Sequence, residues 1–74
     1  MWLYRSPIGN IYIKKLENGL YGMVYNGTVW EACDTPQAEA NNVYLQVTGC
    51  SDWDLCDITG KDVPSGLSEW DVIE

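Results

Sequence analysis

Two closely spaced Asn-Gly dipeptides, Asn18-Gly19 and Asn26-Gly27, constrain this chain more than any other feature. Asn-Gly supplies the two positive φ angles of a type I′ turn, so each pair marks a hairpin wherever strand-like runs flank it. Such runs are present: Trp2–Arg5, Asn10–Leu16, Leu20–Tyr25 and Thr28–Cys33. Ser6-Pro7-Ile8-Gly9 joins the first two, with Pro in a position that fixes φ for a turn. The pattern predicts an antiparallel meander of three to four strands over residues 1–33.

With two-residue loops at both Asn-Gly sites, the register follows by counting. Tyr25 then faces Thr28, Met23 faces Trp30 and Tyr21 faces Ala32, while Tyr12 faces Tyr25 and Lys14 faces Met23. One face of the sheet is aromatic (Tyr12, Tyr21, Met23, Tyr25, Trp30) and the other aliphatic (Ile11, Ile13, Leu20, Val24, Val29, Cys33). A slip of one residue in either hairpin scrambles that division.

A helix is expected over residues 35–48. Asp34-Thr35-Pro36 reads as an N-cap followed by Pro at the first helical position, and Glu39 favours the amino end of the helix dipole. Ala40, Val43, Tyr44 and Val47 make an apolar stripe, and Gly49 stands where a C-terminal cap belongs. Asn41 and Asn42 are poor helix formers, so the helix depends on packing against the sheet. Residues 49–74 lose periodicity, although Ser65–Trp70 has room for one helical turn. Trp53, Leu55, Ile58, Leu67, Trp70 and Val72 are too apolar for a free tail. The expected architecture is a single α+β domain: the meander, one helix on one face, and an irregular C-terminal segment covering part of the other.

A chain of 74 residues has a marginal core unless something supports it. Four Trp and five Tyr are that support, because each ring buries roughly 150–250 Å². The charge is uneven. Of the net −7, most lies in residues 51–74, where Asp52, Asp54, Asp57, Asp62, Glu69, Asp71 and Glu74 face Lys61 alone. Nucleic acid and anionic lipid need a basic footprint, so neither is an expected direct partner. No basic segment leads into an apolar stretch of signal-peptide length, and no run approaches the roughly 20 apolar residues of a membrane span. Three cysteines do not close a disulfide framework, and a cytoplasmic setting with reduced thiols is expected.

Chemistry-bearing patterns are weak. Without histidine there is no Ser-His or Cys-His pair. Cys33, Cys50 and Cys56 with an aspartate would make a zinc set, but Cys50 and Cys56 are spaced more widely than a zinc knuckle, and small buried hydrophobe or loop thiol is the plainer reading. Asp52, Asp54, Asp57 and Asp62 depart from the EF-hand ligand order. No spacing singles out a carboxylate pair such as Asp34 and Glu39 for acid–base work. No catalytic residue, metal or cofactor is expected.

Ser6-Pro7-Ile8-Gly9 with Ile11-x-Ile13 and Gly19-Leu20 resembles the opening of the amino-terminal domain of alkylguanine-DNA alkyltransferases, whose reactive Pro-Cys-His-Arg motif is missing here. Gly27–Tyr44 resembles the sheet-plus-helix DNA-binding domains of plant ethylene-response factors, but the sheet lacks their arginines. A longer pattern is similar to a group of short uncharacterised bacterial proteins: Thr35-Pro36, Ala38-x-Ala40-x-x-Val43-Tyr44, Thr48-Gly49-Cys50-x-x-Trp53-Asp54 and Pro64-x-x-Leu67-Ser68-Glu69-Trp70. That likeness implies a small cytosolic bacterial protein and no particular activity.

The functional expectation is a non-catalytic protein-interaction module that contacts a protein partner or a second copy. Its surface would join Tyr12, Tyr25 and Trp30 on the sheet to Trp53, Trp70, Asp52 and Asp54 of the acidic segment, since Trp and Tyr are the usual anchors of interfaces. The alternative is a nucleic-acid-mimicking inhibitor of a DNA-binding enzyme, of the phage or mobile-element kind, with carboxylates standing in for phosphates.

Overall fold

The structure, a computed structural model, describes residues 1–73; Glu74, counted above among the acids of the C-terminal segment, lies outside them. The chain forms β1 (Trp2–Ser6), β2 (Gly9–Lys15), β3 (Tyr21–Tyr25), β4 (Thr28–Cys33), α1 (Pro36–Leu45), a short α2 (Ser51–Asp54), a 3-10 turn (Leu67–Glu69) and β5 (Asp71–Val72). The fold is α+β, with an antiparallel sheet in the order β4-β3-β2-β1-β5. The meander is therefore as expected, and it gains a fifth strand where the C-terminal segment returns beside β1.

The two Asn-Gly loops differ. Asn26 and Gly27 both take positive φ (54° and 78°), so Tyr25 pairs with Thr28 across a two-residue turn. At the other loop only Gly19 has positive φ, and Leu16 N–H bonds to Leu20 O at 2.7 Å. That is a three-residue loop in which glycine supplies the left-handed residue. It shifts the register by one: Ile11 faces Tyr25, Tyr12 faces Val24, Ile13 faces Met23 and Lys14 faces Gly22, in place of the expected Tyr12–Tyr25 and Lys14–Met23 pairs.

A second correction lies in β4. A bulge at Trp30 interrupts the ladder, so Val24 pairs with Val29 but Met23 faces Glu31 and Tyr21 faces Cys33, not Trp30 and Ala32. The extra residue re-aims the strand beyond it, as bulges do. The face built on Ile11, Ile13, Tyr21, Met23 and Tyr25 accordingly also receives Glu31 and Cys33.

Thr35 caps α1 as expected, its Oγ1 accepting from Ala38 N–H at 3.1 Å, with Pro36 in the first turn. The helix ends earlier than Gly49 implied. Gln46 takes the left-handed position (φ 57°), and its side chain donates to Trp53 O at 2.7 Å and Cys56 O at 2.8 Å. The buried side of α1 is also rotated from the expected stripe: Glu39, Ala40 and Val43 are buried, whereas Tyr44 and Val47 are exposed.

The C-terminal segment packs on the same face as α1, not on the opposite one. Trp53 and Trp70 lie edge-on to Tyr4, with ring centroids 5.7 and 5.5 Å away, in one cluster with Ile11, Ile13, Met23, Ala40, Val43 and Cys50. Trp53 Nε1–H donates to Val43 O at 2.8 Å, which satisfies its one polar atom inside the core. Full burial of a ring this size stabilises by roughly 4–6 kcal/mol before entropy is counted. One sheet face therefore carries the whole covering layer. Among the described residues, no helix is long and apolar enough to cross a membrane.

Candidate functional site

Because every covering element among the described residues lies on one side, none of them forms a layer over the opposite face of the sheet. Alternation along the strands puts Leu3, Arg5, Tyr12, Lys14, Gly22, Val24 and Val29 there. Gly22 leaves a notch that Leu16 and Val29 fill: a Cβ at residue 22 would meet Val29 Cγ1 at 3.0 Å and the Leu16 methyls at 3.1 Å. Leu3 is buried yet stands apart from the main core cluster, flanked across the strands by Tyr12 and Asp71. Arg5 and Asp71 form an ion pair across β1 and β5, with both side chains exposed. The bare face is thus a continuous apolar strip, Leu3 through Tyr12 and Val24 to Val29, with the Arg5–Asp71 pair and Lys14 beside it.

The residues singled out from the sequence separate. Tyr12 belongs to the bare face. Tyr25 is on the covered face, half-buried, its hydroxyl donating to Ile8 O at 3.1 Å. Trp30 stands on the edge strand at the bulge, 41% exposed, with Nε1–H donating to Tyr25 O. Trp53 (0% exposed) and Trp70 (4%) are core residues, so the expectation that they present rings to a partner is corrected: Tyr4 and the helix bury them. Asp52 is exposed on α2. Asp54 is occupied internally, its carboxylate accepting from Thr48 N–H, Thr48 Oγ1 and Gly49 N–H at 2.8–3.0 Å. Of the carboxylates offered as phosphate mimics, then, Asp54, Asp57, Glu69 and Asp71 have partners within the fold.

The seam between β4 and α1 holds a cluster that the sequence reading did not assemble. Beyond the bulge, Glu31 and Cys33 point to the helix at i, i+2 along the strand; Glu39 and Asn42 answer them at i, i+3 along α1. One donor atom from each of Glu31, Cys33 and Glu39 lies within 4.8 Å of the others. Asn42 Nδ2 donates to Glu31 Oε2 at 3.1 Å and approaches Cys33 Sγ at 3.6 Å. Glu39 is fully buried, and neither of its oxygens has a geometric hydrogen-bond partner; Glu31 Oε1 is likewise buried and unpartnered. Burial pushes the Glu39 carboxyl up to about 8, reinforced by the Glu31 carboxylate beside it. Burial, with Glu39 and Glu31 adding, pushes the Cys33 thiol up to about 11. A signal for Glu39 existed, since Pro36, Glu39, Ala40 and Val43 also fall at i, i+3, i+4 and i+7. Nothing local announces the bulge that turns Glu31 inward.

The depressions elsewhere do not converge on chemistry. The one between Tyr4, Asp62, Val63, Pro64 and Glu69 holds about 370 Å³ and brings together only two acids. The three thiols are free. The chain matches no protein-family model, no curated protein and no solved structure.

Proposed function

We propose that this chain is a small binding module without catalysis of its own, and that its contact surface is the bare sheet face, met by the same face of a second copy. The observation that supports this reading is the one-sided covering layer, which leaves Leu3, Tyr12, Val24 and Val29 without an opposing layer. Two such faces stacked about 10 Å apart make a sandwich core. Charge favours the same arrangement. In a chain of net −7, this face carries Arg5, its ion-pair partner Asp71, and Lys14; face-to-face pairing turns the acidic layers away from each other. Five strands about 4.8 Å apart give a small footprint, so micromolar association is expected rather than nanomolar.

Light scattering across concentration at two salt levels tests the reading, with Val29→Glu as the variant because Val29 is 49% exposed and its replacement leaves the core intact. The expected result is a weak dimer, little affected by salt, that Val29→Glu converts to a folded monomer. A wild-type chain that stays monomeric at high concentration overturns the pairing, as does a dimer that ignores Val29→Glu. The nucleic-acid-mimic alternative now rests on fewer free carboxylates, with Asp54, Asp57, Glu69 and Asp71 engaged.

A further inference from the structure

The seam cluster poses a physical problem. Two carboxyl groups and a thiol meet between helix and sheet, and among the described residues the only salt bridge, Arg5 to Asp71, involves none of them. Glu39 is fully buried, its oxygens are directed at Glu31 and Cys33, and no cation or backbone N–H among the described residues pairs with either oxygen, so the usual compensation for a buried carboxylate is missing. A cation is the partner that such an arrangement lacks. We infer that Glu31, Cys33 and Glu39 bind a single divalent transition-metal ion of the zinc class.

The donor set selects that class. A thiolate discriminates against magnesium and calcium, which take oxygen ligands only, while two carboxylates with one sulfur suit a borderline ion. A tetrahedral ion with bonds of about 2.0–2.3 Å holds its donors roughly 3.5 Å apart, so modest side-chain rotation closes a cluster now within 4.8 Å. Three protein ligands leave the fourth position to water, reached through the half-buried side of Glu31 and Cys33. Asn42 already donates to Glu31 Oε2 and holds that carboxylate in place, the supporting role that groups behind a metal ligand commonly take. The backbone makes the site rigid, because two ligands come from one strand and the third from the first turns of a capped helix. This inference is independent of how the bare sheet face is used.

The test adds Co²⁺, as a spectroscopic stand-in for zinc, to the full chain freed of metal by a chelator and dialysed. The expected result is a thiolate-to-cobalt charge-transfer band that saturates at one equivalent and is displaced by Zn²⁺. The band should be absent in Cys33→Ser and unchanged in Cys50→Ala and Cys56→Ala. Glu39→Gln should weaken binding at least ~10-fold. That variant separates a lost ligand from a lost fold, since glutamine has the shape of the neutral carboxyl; circular dichroism should show it folded. No thiolate band in wild type overturns the inference and leaves the two carboxyls sharing a proton. A band that survives Cys33→Ser, or that disappears with Cys50 or Cys56, overturns it equally.

Discussion

Each face of the sheet carries a row of apolar side chains, and the two rows end in different states. On one, Ile11, Ile13 and Met23 are fully buried beneath α1, Trp53 and Trp70. On the other, Tyr12 and Val24 are half-buried and Val29 is exposed. Side-chain character distinguishes them in part, since Arg5, Asn10 and Lys14 stand on the second face. The connection completes the difference: residues after α1 return over the helix side, where Gln46, Trp53 and Asp54 fasten them, and among the described residues nothing returns over the other side. In a chain this short the residues suffice for one covering layer, and the second face is left without one among the described residues.

That contrast makes predictions of graded size. Trp53→Ala empties the covered face and should destabilise by about 3–5 kcal/mol, enough to unfold a marginal domain; urea unfolding would show it, and a loss below 1 kcal/mol would mean that the ring is not part of the core. The seam between β4 and α1 should give a pH dependence. Glu39 has an ordinary value of 4.5 and stands at about 8 in the folded chain, so between those limits the folded state holds a proton that the unfolded state has lost. Stability is therefore greatest at the acid end of that window and falls as pH rises through it. Cys33, raised from 9.0 to about 11, continues the fall in the alkaline range. Glu39→Gln should remove the first decline, a difference of about 1–3 kcal/mol between unfolding at roughly pH 5 and roughly pH 8 with chelator present. An unchanged slope in the variant would show that the carboxyl is hydrated. The smallest effect belongs to the bare face: Val29→Ala, in solutions dilute enough to be monomeric, should change stability by no more than about 0.5 kcal/mol. A loss comparable to that of Trp53→Ala would erase the distinction between the faces.

Much of the fold was legible locally. Asn26-Gly27 sets both φ angles of its turn, and Thr35-Pro36 starts its helix, because each acts through its own backbone. Asn18-Gly19 shows the limit: the same dipeptide marks a hairpin without fixing whether the loop holds two residues or three. The seam site was less legible. Glu39 could be placed on the buried side of α1 by periodicity, but Glu31 reaches it only through the bulge at Trp30. The tryptophans of the acidic segment suggested anchors for a partner; they are anchors for the chain itself.

The sequence by itself determined the order of strands and helix, the positions of the turns and the acidity of the C-terminal third, since propensity, capping and charge are properties of neighbouring residues. Tertiary structure decided the register beyond the bulge, the face on which the C-terminal segment lies, and the meeting of Glu31, Cys33 and Glu39. Those outcomes depend on which surfaces exclude water together, and residues far apart in the chain settle that only once they pack.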